Sequence, residues 1–273
     1  MTAYYQLLES KTEDDVTITK YKSTIHAQGA WNEHEQHIGP TTGVICRDMM
    51  NYLPRDDMRI GRLSFDILGV IPFGEIQIKT HTIRSGRTIE LIESVVSAND
   101  RTYVIARAWR MQMSDTTEIK SLQDMPAKPL SACDEIDIMS KWGGGFMYSL
   151  RTRRASDNRL GHGLAWVSTE TEMVEGNLTS DFVRLMGLVD TANGISPCIE
   201  PKNGQWIYPN LDLQIHMHRM PQGQWLGLET VQQIGTDGIG LTSSILHDVH
   251  GVFGRSEQIL TVRKLISAKK LND

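Results

Sequence analysis

The chain has 273 residues, 40% of them hydrophobic and 22% charged, with a formal net charge of −5 and a pI near 6.0. That length suits about two domains of ordinary soluble composition. The acidic balance argues against nucleic acid as a partner, since no basic excess is present to neutralise phosphates. The chain also lacks an apolar run of roughly 18 residues and a basic-then-apolar N-terminal segment, so neither a membrane span nor an export signal is expected.

Gly39-Pro40 leads into a helix-like run from Thr41 to Met50, where proline suits a first turn. Gly74 to Arg84 then reads as a strand. Thr88 to Ser97 reads as a second, with Ile89, Leu91 and Val95 alternating with Glu90, Ile92 and Ser94. After a turn at Asn99-Asp100, Thr102 to Met113 returns, giving an antiparallel meander. Ser114 to Asp137 is polar, contains two prolines and shows no period, as an interdomain linker does. It divides the chain into a module at 1–113, a linker at 114–140 and a second module at 141–273.

The second module opens with Trp142-Gly143-Gly144-Gly145-Phe146. No Gly-Lys-Ser/Thr follows, so a bend or a close backbone approach is expected rather than a phosphate loop. A helix comes next, capped by Thr179 or Ser180, with Asp181 at the positive end of its dipole. Phe182, Leu185, Met186 and Val189 fall at helical spacing, and Gly194 and Pro197 end it. The strands then repeat: Leu211 to Arg219, Trp225 to Ile234, Gly240 to His247 and Val252 to Arg263. Turns fall at Thr236-Asp237-Gly238 and His250-Gly251.

The two halves look like copies of one unit. Val104-Ile105-Ala106-Arg107 and Val252-Phe253-Gly254-Arg255 close similar meanders 148 positions apart, and Gly29-Ala30-Trp31 echoes Leu164-Ala165-Trp166 at an offset of 135. Extra residues around Glu170 to Thr179 account for the difference.

One helix and a meander of long strands, occurring twice, looks like a tandem hotdog fold. Particular stretches resemble the TesB-like acyl-CoA thioesterase family. They are Gln28-Gly29-Ala30-Trp31-Asn32 with Glu35-Gln36-His37, Leu63 to Gly69 with Ile71-Pro72-Phe73-Gly74, Ala106-Arg107-Ala108-Trp109, Pro209 to Leu213 with His218-Arg219, and Gly254-Arg255-Ser256-Glu257-Gln258. The resemblance spans nearly the whole chain. It implies an α+β double hotdog and hydrolysis of acyl-CoA to a carboxylic acid and CoA without a cofactor. It also implies a cytoplasmic homo-oligomer, a dimer or tetramer associated through sheet edges. The family holds its water with an Asp on the second helix, a Thr at the next strand start and a Gln on the last strand. These map onto Asp190, Asn210 and Gln258, with Asn a departure from Thr. The resemblance places Asp190 as the base, with Asn210 and Gln258 holding the water.

The residues themselves leave alternatives open. On a helical wheel Asp190 falls inside the apolar arc, where an unpaired carboxylate is costly and its pKa rises. It would serve as a base, cap a backbone group or pair with an arginine. Gln258 shares a face with Val252, Gly254, Leu260 and Val262 and so needs a partner, catalytic or structural. Asn210 reads equally as a polar strand end beside Asp212, Gln214, His216 and His218. Subtracting 148 gives Thr42, Arg62 and Arg110, none of them a carboxylate or an amide. The first module therefore reads as a packing partner and substrate wall.

Other readings are a non-catalytic acyl-CoA-binding protein, and a hydratase or dehydratase, which pairs a carboxylate with a histidine; no such partner is evident at the Asp190 helix. His216 with His218, and His247, Asp248 and His250, would serve a metal or form a solvated face. His34 and His37 do not match HExxH. Arg151, Arg153 and Arg154 would meet CoA phosphates or form a solvated strand end. Cys46, Cys133 and Cys198 read as reduced thiols, and the absence of G-x-S-x-G disfavours a serine nucleophile.

Overall fold

In the computed structural model, residues 2–30, 32–137, 142–199 and 205–264 are described. Trp31 of the Gly-Ala-Trp echo and the predicted linker end at 138–140 lie outside them.

The first half runs β1 (Ala3–Glu13), β2 (Val16–Ser23), α1 (Ile38–Asn51), β3 (Met58–Ile67), β4 (Glu75–Arg84), β5 (Ile89–Ala98) and β6 (Arg101–Gln112). Helix α1 begins three residues earlier than expected because the His37 side chain caps it, accepting from the Gly39 N–H. Pro40 then falls in the first turn, where the missing N–H has no helical partner. The β4–β6 meander follows the sequence closely, and β5 turns its even-numbered residues to the core. Its buried residues are Glu90, Ile92, Ser94 and Val96, while Ile89 is exposed. Glu90 is kept inside by Arg110, whose Nη1 lies 3.0 Å from its carboxylate.

The expected linker is ordered through residue 137. It forms β7 (Asp134–Glu135), and Ala127, Leu130 and Cys133 pack on Trp166 in a small satellite core. The second half follows as α2 (Gly145–Tyr148), β8 (Leu150–Arg154), β9 (His162–Thr169), β10 (Glu172–Val174), α3 (Asp181–Met186), α4 (Ala192–Ile195), β11 (Trp206–Ile207), β12 (Asp212–Met217), β13 (Trp225–Ile234), β14 (Ile239–Asp248), β15 (Gly251–Thr261) and β16 (Arg263–Lys264). The single second helix expected from Thr179 to Gly194 is broken. Regular α3 ends at Met186, a 3₁₀ turn covers Val189–Thr191, and α4 resumes at Ala192.

Fourteen strands form one sheet, in the order β10-β1-β2-β4-β5-β6-β3-β12-β15-β14-β13-β9-β8-β7. The halves join through antiparallel β3–β12 pairing, Leu213 opposite Phe65 and Ile215 opposite Leu63, and again where β10 lies parallel to β1. The strand bounds fix the internal repeat at 150 rather than 148: β4 maps onto β13 and β5 onto β14 residue for residue. A buried hydroxyl pair repeats with them, Thr80 with Ser94 and Thr230 with Ser244, each at 2.8 Å. The counterparts of Asn210 and Gln258 are then Ile60 and Ala108 rather than Arg62 and Arg110. Both are apolar, so the amide pair is still particular to the second half.

The sheet wraps α1 and α3, and both halves share one core that includes Val44, Ile45, Met49, Leu185, Met186 and Leu188. The two helices approach closely because Gly39 and Gly43 share a face of α1. A Cβ on Gly39 would sit 2.8 Å from the Gly187 carbonyl oxygen, and one on Gly43 would sit 3.2 Å from its Cα. The triple glycine is a second docking point. Gly144 has φ +84°, and a Cβ there would lie 2.1 Å from the Gly29 carbonyl oxygen, which is the close approach the sequence predicts.

Candidate active site

Asp190 sits on the 3₁₀ turn between α3 and α4, 6% exposed. Breaking the helix there leaves the side chain inward-facing without the geometry of a regular wheel. The next residues anchor the turn. Thr191 donates to the Leu188 carbonyl at 2.7 Å, and Asn193 donates to the Tyr208 carbonyl while its own amide oxygen accepts from Gln232 Nε2 at 3.0 Å.

Gln258 reaches Asp190 from β15. It lies opposite Thr242 of β14, is fully buried, and donates from Nε2 to Asp190 Oδ1 at 3.0 Å. Asn210 comes from the chain just ahead of β12, where it bridges to Leu260 and where Leu211 bonds to Ile259 and Ile67. Its Nδ2 donates to the same Asp190 oxygen at 2.8 Å. The fold thus brings all three predicted residues together. It does so differently from the expectation, because the two amides grip one carboxylate oxygen instead of aiming their N–H groups at a water. Oδ2 is left without a hydrogen bond among the described residues. Gln258 Oε1 is likewise buried without a hydrogen-bond partner among the described residues.

Burial pushes the Asp190 carboxyl up to about 6, and the Asn210 and Gln258 hydrogen bonds hold it from rising further. The arrangement therefore supplies a carboxylate that is ionised near neutral pH yet basic enough to accept a proton.

One histidine escapes a reading made along the chain. His37, at the start of α1 in the first half, places Nδ1 3.7 Å from Asp190 Oδ2, so the carboxylate has a histidine neighbour after all. The two are 153 positions apart in sequence, and the packing of α1 against α3 and the Val189–Thr191 turn brings them together. In the sequence His37 shows only as part of Glu35-Gln36-His37 and as a side chain able to cap Gly39. The contact is not an ion pair: Nδ1 already accepts from the Gly39 N–H at 3.0 Å, and burial pushes the imidazole down to about 4. The ring stacks on Phe146 with centroids 4.4 Å apart.

Asp190, Asn210 and His37 line a cavity of about 430 Å³ between the halves, with apolar walls from Ile38, Ile67, Val70, Ile71, Met147 and Leu211, while Gln258 is buried behind it. Arg263 stands on its rim. Arg151, Arg153 and Arg154, read as a solvated strand end or a phosphate contact, do not line it: Arg151 pairs with Glu170 at 2.8 Å and lies over Trp225, and Arg153 donates to the Leu130 carbonyl. His216 and His218 gather no metal set, and among the described residues no group of three His, Cys, Asp or Glu side chains is placed to hold one. Asp248 is instead bound by Arg219 through both oxygens, at 2.5 and 2.7 Å. Among the described residues no helix is long and apolar enough to cross a membrane.

Two helix-and-meander units with a carboxylate cavity between them define a double hotdog protein. Solved structures share that fold: a proposed thioesterase II from Thermobifida fusca (15% identity, covering 93% of this chain and 95% of that one, TM-score 0.73), a hotdog protein of unknown function from Alicyclobacillus acidocaldarius (9%, 94% and 97%, 0.73) and the acyl-CoA thioesterase II TesB2 of Mycobacterium marinum (12%, 94% and 96%, 0.67). At such identities the likeness concerns the fold alone. No curated protein sequence matches. The family models are decisive: the acyl-CoA thioesterase N-terminal domain matches residues 27–111 and the C-terminal domain residues 122–262, so the chain belongs to the acyl-CoA thioesterase family.

Proposed function

We propose that this protein hydrolyses acyl-CoA thioesters by direct attack of water, with Asp190 as the general base. The observation that carries the reading is the divided carboxylate: Oδ1 is held by Asn210 and Gln258, and Oδ2 is left to take a proton. Asn210 and Gln258 orient the base, and Asn210, which lines the cavity, offers its amide oxygen to the attacking water. Water adds to the thioester carbon while Asp190 takes its proton. The tetrahedral intermediate then breaks its C–S bond, and the proton passes from Asp190 to the departing sulfur. The apolar walls suit an acyl chain, and Arg263 on the rim suits a CoA phosphate. Thiol release from a panel of acyl-CoA substrates tests this. Asp190→Asn should lower turnover by about 10²–10⁴, the usual contribution of a general base; near-normal turnover would overturn the assignment.

His37 beside Asp190 favours one second reading, hydration of an enoyl thioester. Loss of enoyl-CoA absorbance without thiol release would support it, and an unchanged spectrum would reject it.

A further inference from the structure

Hydrolysis by the site just described lacks one component, a donor for the negative charge that develops on the thioester oxygen. We infer that His37, contributed by the first half of the chain, is that donor, through Nε2–H. The inference rests on the thioesterase reading above.

The tautomer follows from the cap. Nδ1 accepts from the Gly39 N–H, so it carries the lone pair, and a neutral ring must carry its hydrogen on Nε2. Burial keeps the ring neutral at physiological pH. Two features fix the ring: the Gly39 bond at one edge and Phe146 against its face. His37 lines the cavity, and among the described residues Nε2 makes no hydrogen bond. Two neighbouring side chains that line the cavity therefore carry, among the described residues, a free acceptor, Asp190 Oδ2, and a free donor, His37 Nε2–H.

That pairing matches the charge flow of the reaction. As the water oxygen bonds to the carbonyl carbon, the C=O π pair moves onto oxygen and the water proton moves to Asp190. His37 Nε2–H hydrogen-bonds the resulting oxyanion without giving up its proton. The C=O bond re-forms as the C–S pair leaves on sulfur, which is protonated from Asp190. A neutral imidazole is a suitable donor here, because an imidazolium would pair with Asp190 and suppress its basicity. The donor comes from one half of the chain and the base from the other, so the contact at Gly39, Gly43 and Gly187 becomes part of the catalytic geometry.

The test separates capping from donation. His37→Asn retains an oxygen able to cap Gly39 but places no donor at Nε2. His37→Gln extends an amide N–H toward that position, and His37→Ala has neither. On the acyl-CoA substrate that wild-type protein cleaves fastest, His37→Asn should lower kcat by about 100-fold, as loss of an oxyanion donor does, with KM and melting temperature little changed. His37→Gln should exceed His37→Ala by at least about tenfold. Full kcat in His37→Asn, or equal kcat in the Gln and Ala variants, would overturn the donor role while leaving Asp190 as base. If Asn fails to hold the cap and melting falls, the Gln-to-Ala comparison decides. Wild-type protein that releases no thiol would overturn both readings.

Discussion

Gln258 donates its side-chain N–H to Asp190 Oδ1 at 3.0 Å from the last long strand of the sheet, and the amide it spends there lowers the pKa of a carboxyl that burial has raised. Replacing Gln258 by Leu removes that donor and leaves Asn210 alone on Oδ1. The inflection in kcat/KM should then move to higher pH, and activity at pH 7 should fall. A pH–rate profile of the variant beside wild type checks this; an unmoved inflection would show that Gln258 does not act on the base.

Wild-type protein should itself show a single acid limb. With Asp190 titrating at about 6, kcat/KM should rise tenfold per pH unit below that value and level off above it. His37, titrating at about 4 in the fold, stays neutral across this range and adds no second limb near neutrality.

The same shift makes a stability prediction of defined sign. The folded pKa of Asp190 lies above its ordinary 3.8, so the fold favours the protonated form. That stability is fully present below about pH 4 and is lost as pH rises through about 6. Asp190→Asn keeps a carbonyl oxygen for both amides and removes the ionisation cost. The variant should be more stable than wild type at pH 8 by on the order of 2–3 kcal/mol, and the gap should shrink toward pH 4. Chemical denaturation at the two pH values measures it.

Much of this was legible in the sequence, for identifiable reasons. The meanders follow strong alternation bounded by turn residues, so most of their strand limits lie within a residue or two of those observed. The strands β1 and β2 escaped because Gln6 to Glu13 is largely polar and exposed on the sheet margin. Alternation alone did not say which face of β5 is buried, because an ion pair, Glu90 with Arg110, sits on the core side beside Ile92 and Val96. Asp190, Asn210 and Gln258 were legible through resemblance. His37 was not, since its place in the site depends on glycine contacts between two helices far apart in sequence.

Arg110 stabilises the fold in a way separable from the site. Besides its bond to Glu90, its guanidinium caps the end of α1, donating to the carbonyls of Met49, Tyr52 and Leu53. Arg110→Ala should cost about 3–5 kcal/mol, because it leaves a buried carboxylate uncompensated. Pairing the change with Glu90→Gln should recover part of that loss in thermal melting.

Gly144→Ala should destabilise the junction between the halves, since φ +84° disfavours a side chain and the added Cβ would meet the Gly29 carbonyl at 2.1 Å. Melting temperature should fall, and hydrogen exchange should rise first around residues 25–29 and 143–148.

Asp190, gripped by two amides on one oxygen, is the residue proposed to activate water against an acyl-CoA. The direct measurement is thiol release by wild-type protein and by Asp190→Asn, across acyl-CoA substrates of increasing chain length, at pH 8 where both are folded. Wild type should turn over at least one chain length, and the variant should lose about 10²–10⁴ of that rate. Equal turnover by the two proteins, or none by wild type on any acyl-CoA, would contradict that role.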